Sequence, residues 1–355
     1  MSKIANDRAG AFSFGSQMPR LLPSIAALIY PFALAGLYRD ISRIRAGAGP
    51  LSWAMAVVCL VITFAVPLVS LLIAMRVEGD PFASQTALLA IAAPPFFVLI
   101  SSAIRGNLDI ALWFVFWAAA LFGLALSRNR TFARPTPSLG TRRFRIPHGI
   151  TALSIVVMAF LLFHICNQLF GLAGPDLYSR VMHWGRHVYR EPLIEPLLAL
   201  VFLFQTATGL YLLWRGSNIV SDRFRTLQTA SGCYLSLFLL SHMNAVLLFG
   251  RMHHVETGWA FATGGTAGLL GDPRAIRLVP YYAFVVFFAV AHLATHLRVA
   301  MLRKSVSRLW ANRFVDGATV LAGVTAVAIV LGMCGVRLHL PLRDGTNAVY
   351  VLMKK

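Results

Sequence analysis

Two histidines lie deep inside hydrophobic runs, His164 and His242, each 16 residues past the start of its run at positions 148 and 226. A helical rise of 1.5 Å per residue places both roughly 24 Å along their helices. If the two helices are neighbours running in the same direction, the imidazoles meet at one depth. An ionisable side chain at such depth is costly and normally faces the bundle interior. Two together suit a metal centre between helices, and bis-imidazole ligation of a haem iron is the leading reading. The plainer reading is that each ring hydrogen-bonds a neighbouring carbonyl or hydroxyl.

A second polar layer follows from the same ruler. Gln205 and His292 each stand 13 residues past positions 192 and 279, about 20 Å from the opposite start. Glutamine is a poor ligand for haem iron, so one bis-histidine haem is favoured over two. Ser231 and Gly232, with Gly209, offer low-profile surface for a macrocycle. For His292 a structural role stands beside a haem or quinone role. His296 lies one turn beyond it, and either approaches His148 at the inner rim or, like His148, faces interfacial water. Glu195, near a helix start, either complements the helix dipole or carries protons to a reduced quinone.

Other candidates are weaker. His183 and His187 share one face of a short helix at i, i+4 spacing suited to a metal, or are simply solvated. His253 and His254 belong to the same outer loops. The stretch Thr263-Gly264-Gly265-Thr266-Ala267-Gly268 follows no strand and precedes no lysine, which argues against a phosphate loop. Cys59, Cys166, Cys233 and Cys334 show no CxxC spacing and read as buried thiols.

The elements that must carry these residues are membrane helices. The 355 residues are 58% hydrophobic and only 13% charged, about half the charged share of a soluble domain. Nine apolar segments can be read, near 21–38, 51–75, 85–104, 109–126, 148–170, 192–214, 226–250, 279–303 and 314–336. Pro94–Pro95 interrupts the third. The N-terminus lacks a cleavable signal pattern and reads as a cytoplasmic leader. Arginines crowd 128–145 and 298–313, marking both loops as cytoplasmic. The net charge of +19 is explained by topology and anionic lipid. No basic, aromatic-interleaved soluble domain exists to bind nucleic acid. Trp184, Tyr189, Trp214 and Trp259 sit near span ends as interface anchors.

The expected fold is therefore an all-α polytopic bundle of about nine transmembrane helices. Residues 1–126 form a four-helix module without histidine, and 127–147 is a basic linker rich in Pro, Ser and Thr. Residues 148–337 form a five-helix module, and 338–355 is a tail; all 10 histidines lie from His148 onward, the last of them, His339, in the tail. A multi-pass protein of a bacterial inner membrane is expected.

The second module resembles the di-haem, five-helix cytochrome b anchor of succinate:quinone oxidoreductases and quinol:fumarate reductases. The likeness spans about 143–337 and is most specific at Leu227-Gln228-Thr229-Ala230-Ser231-Gly232 running on to Ser241-His242. His148 with Phe163-His164 resembles the family's first haem helix, and His292 falls at its remaining ligand position. The resemblance implies that His164 and His242 bind the haem distal to the soluble partner. The proximal haem would need a histidine where Phe204-Gln205-Thr206 carries glutamine. It further implies haem b, quinone exchange, and flavoprotein and iron–sulfur subunits on other chains, so the chain is not catalytic alone. The first four helices have no counterpart in that family. A different class stays open: a non-redox scaffold, sensor or transporter on the same frame. Other multi-helix b cytochromes, like those of formate dehydrogenases or hydrogenases, are a third possibility.

Overall fold

The computed structural model describes residues 14–76, 80–104, 108–127, 148–216 and 222–338, with backbone alone at 14–17, 148–156 and 212–216. The linker 128–147, the leader 1–13 and the tail 339–355 lie outside the described residues. Among those described, regular structure is entirely helical. Twelve α-helices run α1 (Phe14–Arg45), α2 (Pro50–Ala74), α3 (Pro81–Ile91), α4 (Ala93–Ala103), α5 (Leu108–Leu126) and α6 (His148–Leu169). They continue as α7 (Pro175–Tyr189), α8 (Ile194–Gly216), α9 (Arg223–Met243), α10 (Trp259–Thr263), α11 (Leu278–Arg303) and α12 (Arg308–Met333). Seven stretches are long and apolar enough to cross a membrane, or up to eight if the bent α3–α4 pair is one span.

Local chemistry sets these boundaries. Asp80 caps α3, its carboxylate accepting from the Ala83 amide at 3.0 Å, and Pro81 follows at the first helical position. Asp222 caps α9 in the same way from the Arg225 amide at 2.8 Å. Pro94 and Pro95 lack amide donors, and the chain bends by 72° between α3 and α4. Residues 226–250 do not form one uniform helix. After Met243, α9 loosens into a π-helical segment, Asn244–Arg251.

Close helix approaches rest on small residues, as expected where lipid removes the hydrophobic drive between helices. A methyl group at Gly36 of α1 would stand 2.7 Å from the Cys59 sulfur of α2. The α11–α12 hairpin buries Ala291, Ala294, Ala311, Ala322 and Ala326.

The helices α1–α5 do not stand apart. Leu71, Leu88, Ile91 and Ala92 pack with Ala230, Cys233, Tyr234, Leu237, Phe284 and Phe288 of α9 and α11. Leu37, Ala56 and Cys59 pack with Leu269, Ile276, Val279, Val286 and residues of α12. An ion pair joins the two halves, Arg277 to Asp109 at 3.1 Å, with the guanidinium 4.8 Å over the Phe97 ring.

Candidate functional site: two layers of imidazole

α6 carries His164 five residues before its end, and α9 carries His242 one residue before its last. The two rings meet edge to face, with centroids 6.2 Å apart and planes at 70°. Phe160 stacks on His164 at 5.7 Å and Phe238 on His242 at 5.2 Å, each one turn earlier on the same helix. The described part of α6 keeps its backbone more than 8 Å from α8 and α9 except at isolated points. Side chains span that gap: Val157, Phe160, Val201, Phe202, Leu239 and Met243 form one apolar cluster, which reaches the pair through Phe160 on His164.

These dimensions suit an axially ligated iron. Two metal–nitrogen bonds of about 2 Å, plus about 1 Å from each nitrogen to its ring centre, put the centres roughly 6 Å apart. An apolar, aromatic surround is what a porphyrin plane requires. The π segment that begins just past His242 fits a pattern of such irregularities near functional positions.

α7 packs beside the pair as a cover, burying Tyr178, Met182 and Gly185. Gly185 is needed there, because a methyl group would overlap the Phe163 ring beside His164. Tyr189 meets Phe160 edge-on at 5.5 Å. Arg186 donates to the Thr257 carbonyl at 2.8 Å and Arg190 to the Thr257 hydroxyl at 2.7 Å, tying α7 to the 253–258 loop. Burial and the neighbouring Arg186 and Arg251 guanidiniums lower the pKa of Arg190.

Glu195 is committed nearby. Arg251 grips both its oxygens, from Nη2 at 2.7 and 2.5 Å and from Nε at 3.0 Å. This pair ties α8 to the π segment. Sequence reasoning offered dipole complement or proton carriage, and missed the arginine because 56 residues separate the partners.

The second layer is assembled differently from the expectation. His292 meets α9, not Gln205. Its Nδ1 lies 2.9 Å from the Ser231 hydroxyl, and that hydroxyl donates to the Gln228 carbonyl at 2.9 Å. The serine proton being so used, Ser231 accepts from His292 Nδ1–H. The bare Nε2 of His292 faces Nε2 of His296 at 3.2 Å. Gly232 touches the same ring, at 3.5 Å from a methyl group placed on it. Ser231 and Gly232 thus contribute to the α9–α11 contact. Gly209 likewise lies against Ser236, at 2.9 Å from an added methyl, and brings α8 onto α9. Gln205 is half-buried on α8, and among the described contacts none joins it to His292. The side chain of His148 falls outside the described residues, as does that of Trp214.

Among the described residues no group of three or more His, Cys, Asp or Glu converges on one point. Axial haem ligation needs only two. Cys59, Cys233 and Cys334 are buried or half-buried, whereas Cys166 is exposed, against the expectation for it. No protein-family model, curated protein or solved structure matches this chain.

Proposed function

We propose that the chain is a membrane-embedded b-type cytochrome subunit, holding one haem between His164 and His242 and exchanging electrons with quinone. The observation that carries this reading is the imidazole pair, 6.2 Å centre to centre, each ring stacked on a phenylalanine. Haem b supplies one-electron chemistry. The chain's own part is to present two nitrogens, exclude water with Phe160, Phe202 and Phe238, and cover the slot with α7. The linker end, with its arginines, faces the cytoplasm of a bacterial cell under the positive-inside rule. Nine crossings follow if the α3–α4 pair and α6 each count as one. Flavoprotein and iron–sulfur subunits on other chains are the partners this reading requires, since this chain carries no dinucleotide fingerprint or cysteine cluster.

One haem is preferred to two because α8 offers Gln205, a poor ligand for haem iron, where a second axial histidine opposite His292 would be needed. The test is haem content and spectrum of protein made with ample haem. One b-type haem per chain is expected, with the reduced-minus-oxidised bands abolished in His164→Ala and His242→Ala. Folded wild-type protein without haem, and without response to quinone analogues, would instead favour a non-redox scaffold, sensor or transporter.

A further inference from the structure

We propose that His183 and His187 on α7 form a site for a divalent transition-metal ion such as Cu²⁺, Ni²⁺ or Zn²⁺. Both side chains are exposed, and their Nε2 atoms lie 3.2 Å apart, one helical turn from each other. Metal–nitrogen bonds of about 2.0–2.1 Å across that gap make an N–M–N angle of about 100°. Such a bite suits both tetrahedral and cis-octahedral coordination, with water in the remaining positions. Imidazole pairs select borderline cations over calcium or magnesium, which prefer oxygen.

The other pair at this spacing, His292 and His296, has the same 3.2 Å gap but a different setting. It lies within an apolar span, where a dication would have to shed its water. α7 lies outside the spans and is reached by hydrated ions. Arg186, next to His187 in the chain, donates to the Thr257 carbonyl and lies 4.0 Å from Glu256. A bound ion would bridge one turn of the helix that seats Gly185 on Phe163 and Tyr189 on Phe160, stapling the cover in its helical form.

The experiment uses the full chain, freed of any histidine tag, titrated with Cu²⁺ in detergent and read by electron paramagnetic resonance. Nitrogen splitting from two imidazoles is expected, falling to one in His183→Ala or His187→Ala. Each variant should weaken binding by about tenfold or more, as loss of a ligand does. A His253→Ala/His254→Ala variant should bind as wild type. Zn²⁺ should slow hydrogen exchange of α7 amides in wild type and not in the His183→Ala/His187→Ala variant. Equal binding by wild type and that double variant, or loss of binding with His253 and His254, overturns the proposal. Because the readout lies on α7 itself, the result is independent of haem content.

Discussion

At the residue scale the two polar layers differ in what their nitrogens are free to do, and this separates one haem from two. His164 and His242 meet each other among phenylalanines, whereas His292 lies against Ser231 and the neighbouring His296 on its own helix, with no imidazole from another helix among its described contacts. His292→Ala should therefore leave haem stoichiometry and the b-type spectrum unchanged. Ser231→Ala should do the same while lowering thermal stability by about 1 kcal/mol, the usual net worth of one hydrogen bond. Loss of half the haem in either variant would make His292 a ligand. Gly185→Leu belongs with these: its side chain would push into Phe163, so α7 must lift or the ring must turn. Overpacking of this kind costs about 1–3 kcal/mol, and its site beside His164 predicts faster haem loss, measured by transfer to apomyoglobin. The first layer was legible in the sequence because helical rise fixes depth. The second was not, because depth says nothing about azimuth. Counting along the chain puts Gln205 and His292 at one level, yet α11 presents His292 to α9 at Ser231.

Elements show where local signals carry and where they stop. The Pro94–Pro95 break and the cap residues Asp80 and Asp222 act through their nearest neighbours, so the sequence announces them. The π segment after Met243 has no such local sign, and 226–250 reads as one continuous apolar run. The Asp109–Arg277 pair is equally silent, because its partners stand 168 positions apart. Asp109 is 7% exposed in its side chain and Arg277 21%, so the pair is mostly shielded from water. Removing one partner strands the other, at about 3–5 kcal/mol for a buried pair. Arg277→Met should thus lower the melting temperature more than the double change Asp109→Leu/Arg277→Met, in which no charge is left alone. A double variant at least as unstable as the single one would show that the pair's value lies in the attraction itself.

For the whole molecule the question is whether the histidine-rich half can hold its site alone. The basic linker and the uneven histidine distribution suggest two separable modules, and the resemblance covers only the second. Packing argues otherwise. α9 buries Ala230, Cys233, Tyr234 and Leu237 against α2 and α3, on the helix that also carries His242. The Cys233 thiol even donates to the Leu88 carbonyl at 3.6 Å, at the helix break. α11 is held on the same side through Phe284, Phe288 and Arg277. Lipid replaces apolar contact at little cost in hydrophobic free energy, so what the first half contributes is shape: it fixes the positions of α9 and α11. A chain beginning at residue 148 should therefore insert into the membrane yet retain little haem, with α9 loosened around His242. Haem per polypeptide and hydrogen exchange at 230–243 measure this directly. Full haem content in the shortened chain would mean that α6 and α9 define the slot unaided, leaving residues 1–126 to serve a partner.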